Sequence, residues 1–120
     1  MSEPAPWPTD IRVLRAERLL EIDFDDGSRF RLPAELLRVE SPSAEVRGHG
    51  SGQKRLVSGK RGVNISGVEP VGNYAVRILF DDGHDTGLYS WSYLHELGRD
   101  QEAIWRRYLA ALEAAGLSRG

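Results

Sequence analysis

The sequence contains no cysteine. Its absence excludes disulfides, thiolate catalysis, cysteine-ligated zinc and iron–sulfur clusters held by this chain alone. An excess of either charge is missing too. Sixteen basic residues face 18 acidic ones, for a formal net charge of −2. That balance makes no overall case for nucleic acid or for an anionic membrane. No apolar run approaches the roughly 20 residues that cross a bilayer. The opening stretch, MSEPAPWPTD, has neither the basic nor the apolar region of a secretory signal. There is also no Gly-x-Ser-x-Gly elbow for a nucleophile. A soluble cytoplasmic domain is the expectation.

What is present suits one folded domain. The 120 residues are 40% hydrophobic and 28% charged, enough to bury a core without crosslinks. Residues 1–10 carry Pro4, Pro6 and Pro8 and read as a flexible tail that Trp7 can pin. From Ile11 the apolar residues alternate. Ile11 and Val13 flank Arg12, and Leu20, Ile22 and Phe24 alternate with Glu21 and Asp23, the period of a half-buried strand. Phe30 and Leu32 continue it, and Pro33–Arg38 reads as one short helical turn. Residues 39–62 are rich in Gly and Ser and read as a long loop with a short strand near Leu56–Val57. Strands return over 64–71, irregular at Gly67 and Pro70, and over 74–80, with Tyr74, Val76, Ile78 and Phe80 on one face. A further strand spans Thr86–Tyr89. Ser90 caps a short helix ending near Gly98, and Asp100 caps a last helix to about Ala115, closed by Gly116. Its face at Ile104, Trp105, Tyr108, Leu109 and Leu112 has helical spacing.

These elements define a strand-dominated α+β fold. The expectation is a twisted, mostly antiparallel sheet built from hairpins, with short helices and one C-terminal helix. Its divisions are a tail at 1–10, a domain at 11–98, and a helix and tail at 99–120.

The tetrapeptide Phe-Asp-Asp-Gly occurs at Phe24–Gly27 and again at Phe80–Gly83, 56 residues later. Asp-Gly is a strong hairpin signal because glycine supplies the positive φ that the turn requires. The units Leu20–Leu37 and Ile78–Leu94 both read strand, turn, strand, helix. Internal duplication and convergence on good turn chemistry both account for that.

The second copy continues into His84-Asp85-Thr86-Gly87-Leu88-Tyr89-Ser90-Trp91. His84 with Asp82, Asp85 and His49 is a candidate metal or general-base constellation. The plainer reading is a histidine that caps the turn or stacks on Trp91. In the loop, Gly59-Lys60 is followed by Arg61, and Lys54 stands where a phosphate loop needs its first glycine, so that pattern fails. The cations Arg47, Lys54, Arg55, Lys60 and Arg61, with His49, form a candidate partner surface. Nucleic acid is disfavoured there by the acidic overall balance.

Several separated motifs resemble one family. They are Leu37-Arg38-Val39-Glu40-Ser41-Pro42-Ser43-Ala44-Glu45-Val46, Gly48-His49-Gly50, Gly59-Lys60-Arg61, Glu69-Pro70-Val71-Gly72-Asn73-Tyr74, and Phe80 through Trp91. In this order they are similar to the small bacterial proteins related to the N-terminal domain of gamma-butyrobetaine hydroxylase. The resemblance implies a small β-rich, non-catalytic domain. Such domains stand alone, precede the catalytic domain of gamma-butyrobetaine and trimethyllysine dioxygenases, or are fused to ATPases of iron–sulfur cluster assembly. A protein partner from one of those systems is implied, and no catalytic residue.

The resemblance also implies a zinc site of three cysteines after a Leu-Arg pair and a histidine after an acidic turn. Those positions fall on Ser41, Ser43, Val46 and His84. The site is thereby broken, no cofactor is expected, and zinc or iron is the alternative. In place of a metal, His84 is expected to hydrogen-bond Ser41, Ser43 or nearby backbone.

Overall fold

The computed structural model describes residues 6–43 and 56–120. The first part forms β1 (Pro8–Leu14), β2 (Leu19–Phe24), β3 (Arg29–Pro33) and α1 (Ala34–Val39). The second forms β4 (Ile65–Val71), β5 (Ala75–Phe80), β6 (Leu88–Ser90), α2 (Trp91–Arg99) and α3 (Gln101–Ala115). This is the expected strand-rich α+β arrangement with a C-terminal helix. Its strands divide into two antiparallel three-stranded sheets, ordered β1-β2-β3 and β4-β5-β6.

Alternation decides which face of each sheet is covered. Leu20, Ile22 and Phe24 of β2 are buried, as are Val76, Ile78 and Phe80 of β5. They share one core with Leu32, Tyr89, Leu94, Leu97 and Ile104. On the outer face of the first sheet the register sets Arg12 opposite Glu21, Glu21 opposite Arg31, and Asp23 opposite Arg29. Arg12 Nε donates to Glu21 at 2.8 Å and Arg29 Nε to Asp23 at 2.7 Å. Opposite charges in directly facing positions suit that register and oppose a one-residue slip.

The helices show which local signals hold. Ser90 Oγ accepts the amide of Tyr93 at 3.1 Å, so it caps α2 as expected. Asp100 makes no side-chain cap for α3, because its carboxylate is taken by Arg99. Gly116, with φ of 69°, closes α3 in the left-handed conformation.

Other differences have simple causes. β1 starts at Pro8, inside the stretch read as tail. Trp7 donates to Asp25 Oδ1 at 3.0 Å and accepts the Asp25 amide at 2.8 Å, which fastens the strand to the first turn. Tyr74 is 55% exposed, because the ladder of β5 begins one residue later at Ala75. Leu56 and Val57 form no strand. They pack on a small second cluster of Val39, Tyr108 and Leu112, where Tyr108 Oη donates to Val57 O at 2.6 Å. The chain end folds back as well. Gly59 N donates to Ser118 O at 3.0 Å and Arg61 N to Arg119 O at 2.9 Å. Arg119 then clasps buried Glu35 through two bonds of 2.9 and 2.7 Å.

Candidate functional site

The two Phe-Asp-Asp-Gly turns have the same build. In the first, Gly27 N donates to Phe24 O at 3.1 Å, and Asp26 Oδ1 accepts the Ser28 amide at 2.9 Å. In the second, Gly83 N donates to Phe80 O at 3.2 Å, and Asp82 Oδ1 accepts the His84 amide at 3.1 Å. Gly27 and Gly83 have φ of 88° and 90°, which explains the repeated glycine. The second aspartate in each turn thus braces the amide two residues on, as an Asx turn does.

The turns diverge at the residue after the glycine. Ser28 sits at the edge of the first sheet. Its counterpart His84 is buried and faces the segment after α1. Ser41 Oγ and His84 Nε2 are 2.9 Å apart, so the expected polar contact between these segments is present. Ser41 Oγ also accepts the Ser43 amide at 3.3 Å, and Ser43 Oγ lies 2.6 Å from Thr86 Oγ1. Tyr89 and Tyr93 donate their hydroxyls to the carbonyls of Leu37 and Glu40. Burial pushes the Tyr89 phenol well above its ordinary range. The ring neighbour of His84 is Phe80, not Trp91.

Close approach of the backbones permits this arrangement. A Cβ on Gly87 would lie 2.5 Å from Ser41 Oγ and 3.0 Å from Tyr89 Cε1. Only glycine fits there without moving the serine segment away from the histidine.

Asp82 is the electrostatic centre of the adjoining surface. Its Oδ2 accepts Arg38 Nε at 2.8 Å and Lys60 Nζ at 2.7 Å. Burial alone would raise its pKa. The hydrogen bonds from Lys60, the His84 amide and Arg38 outweigh that and hold it at about 2. Arg38 Nη1 is the one buried side-chain nitrogen or oxygen among the described residues that lacks a hydrogen-bond partner.

The sequence-derived candidates therefore separate. His84, Ser41 and Ser43 come together, and Asp82 and Lys60 meet beside them. Asp85 is exposed. Arg61 anchors the chain end through its amide. Val46, Arg47, His49, Lys54 and Arg55 lie outside the described residues. Among the described residues, no three His, Cys, Asp or Glu side chains converge as a metal site requires. Among the described residues, the side chains brought together at these positions are two hydroxyls and one imidazole, and only the imidazole is a normal ligand of a closed zinc site.

Sequence reasoning missed the roles of Arg38, Thr86, Tyr89 and Tyr93. The Leu37-Arg38 pair was a usable signal for the first. The ring of Tyr89 is fully buried in the core and that of Tyr93 packs half-buried against it. Nothing local shows that their hydroxyls tie two distant segments together.

The elements make a strand-rich α+β domain in which one turn meets the segment after α1 through a buried Ser41–His84 contact. The sequence profile of the family described as gamma-butyrobetaine hydroxylase-like, N-terminal, matches residues 11–95. The chain belongs to that family. Two solution structures determined by NMR are similar to it, each with a TM-score of 0.84. One is 53% identical, with 99% of this chain and 90% of that chain covered. The other is 46% identical, with 97% and 91% covered. A crystal structure of a protein of unknown function from the DUF971 family of Acidithiobacillus ferrooxidans is 42% identical, with a TM-score of 0.67. It covers 81% of this chain and 98% of its own. No curated protein matches the chain. No helix among the described residues is long and apolar enough to cross a membrane.

Proposed function

We propose that the chain is a non-enzymatic accessory domain of the cytoplasm that binds a protein partner. Its working surface is the end of the molecule where Arg38 and Lys60 meet the turn at Asp81–Asp85, with Arg61 next to Lys60 in the chain. The observation that carries this reading is the state of Asp82. One carboxylate gathers two cations from separate segments, and a guanidinium nitrogen beside it has no partner among the described residues. Leaving a buried donor unsatisfied costs about 1–3 kcal/mol, so the arrangement is not one chosen for stability alone.

By analogy with the domains it resembles, the partner belongs to iron–sulfur cluster assembly or to a dioxygenase-like system. The metal-binding alternative has His84 in the right place. Asp82, which accepts the His84 amide, also accepts from Arg38 and Lys60.

Crosslinking capture from cell extract, with purified candidate partners then titrated back, tests the reading. A one-to-one partner whose affinity falls in Lys60→Glu/Arg61→Glu supports it. Stoichiometric zinc or iron in untagged protein, lost on His84→Ala, overturns it in favour of a metalloprotein.

A further inference from the structure

We propose that the groove between β3, the end of α2 and α3 is a second docking surface, which takes an acidic peptide segment carrying an apolar anchor. It rests on different residues from those around Asp82. The groove has a volume of about 840 Å³, within the range of binding clefts. Phe30, Leu36, Trp105 and Leu109 give it an apolar floor. Leu109 is 39% exposed, so the floor is incompletely covered.

The groove is rich in arginine. Arg29, Arg31, Arg99, Arg106 and Arg119 line it, against Glu35 and Glu102, in a chain whose formal net charge is −2. Glu35 does not oppose an incoming acid, because Arg119 holds it through two hydrogen bonds. The same guanidinium lies 5.3 Å from the centroid of Trp105, which fixes one wall.

The other rim arginines are free to change partners. Arg99 pairs with Asp100 and Arg106 with Glu102, with the arginine side chains 60% and 75% exposed. Arg29 pairs with Asp23, and Arg31 with Glu17 and Glu21. Exposed pairs of this type contribute about 0–1 kcal/mol each. A partner carboxylate that also brings an apolar side chain onto Trp105 and Leu109 can displace them. An apolar floor within a guanidinium rim is complementary to an amphipathic acidic segment.

Random-peptide phage display against the full chain tests this, followed by titration of the enriched synthetic peptides into isotope-labelled protein. Enriched peptides should combine Asp or Glu with an apolar residue and shift the Trp105 indole resonance. Binding should weaken with salt. It should fall by about tenfold or more in Arg99→Glu/Arg106→Glu, whose exposed positions leave the fold intact. A lysine-for-acid version of the peptide should regain affinity for that variant. Lys60→Glu should leave peptide binding unchanged, so failure here is distinct from failure of the Asp82 surface. No enrichment, peptides without acidic residues, indifference to charge reversal, or preferential capture of a single-stranded oligonucleotide would each overturn the proposal.

Discussion

Asp26 and Asp82 occupy the same place in two like-built turns, and each is held by the helix that follows the other turn. Asp26 Oδ2 meets His95 Nε2 at 2.9 Å, and Asp82 Oδ2 meets Arg38 Nε at 2.8 Å. His95 is the fifth residue of α2, and Arg38 is the fifth residue of α1. The relation is reciprocal between the two units. It favours internal duplication over coincidence of turn chemistry.

The two aspartates are not equal in weight. The Asp82 side chain is 20% exposed and serves two cations, while that of Asp26 is 38% exposed and serves one imidazole besides its own turn. Asp82→Asn should cost roughly 1–2 kcal/mol after allowance for partial solvent screening, and Asp26→Asn less. Urea unfolding of both variants checks the order. Equal losses would show that the second cation contributes nothing.

Both carboxyls also contribute to stability toward acid. Hydrogen bonds from the side chain and then the backbone of Ser28, aided by His95, hold Asp26 at about 2. Asp82, against the upward pull of burial, is held at about 2 by Lys60, the His84 amide and Arg38. A carboxyl depressed on folding stabilises above its ordinary value near 3.8. That contribution is lost as pH falls through about 2. The urea midpoint should therefore fall below about pH 4, and fall less steeply in Asp82→Asn. Parallel curves for the two proteins would refute the assignment.

Two glycines make packing predictions. A Cβ on Gly98 would lie 2.2 Å from Phe30 Cγ, and one on Gly87 2.5 Å from Ser41 Oγ. Gly98→Ala should cost about 1–3 kcal/mol by overpacking. A double-mutant cycle with Phe30→Leu should recover part of the loss. Gly87→Ala should part Ser41 from His84, visible as changed histidine resonances with the rest of the spectrum preserved. Gly27→Ala meets open space and is penalised only by its φ of +88°.

The broken donor set can be restored. Ser41→Cys/Ser43→Cys/Val46→Cys should bind one zinc, detected by native mass spectrometry and lost on His84→Ala. Zinc that survives loss of the histidine would mean that the positions carried over by resemblance are misplaced.

Much of this fold is legible in the amino-acid order. The alternation at Leu20, Ile22 and Phe24 specifies a strand and its buried face. The paired Asp-Asp-Gly turns specify two hairpins, and Ser90 marks a helix start. Each is a local signal with a local cause. The misreadings involve competition or distance. Asp100 has a capping side chain, but Arg99 competes for it. Tyr74 continues the alternation but stands just beyond the ladder. At the site, His84 and Ser41 are paired by family resemblance alone. The meeting of Arg38 with Asp82 depends on how two helices cross between units, and no spacing within the chain encodes that.

The crossed attachment of the helices bears on synthesis by the ribosome, which delivers the chain from one end. When β1 through α1 have emerged, Arg38 has no Asp82 to receive it, and the turn at Asp26 waits for His95. The first half thus cannot complete its own contacts, and the second cannot do so without the first. The core around Leu20, Ile22 and Phe24 also takes Ile78, Phe80, Tyr89 and Leu94, so a chain arrested before α2 leaves it incomplete. A nascent form of this protein should depend on chaperones until nearly the whole domain has been made.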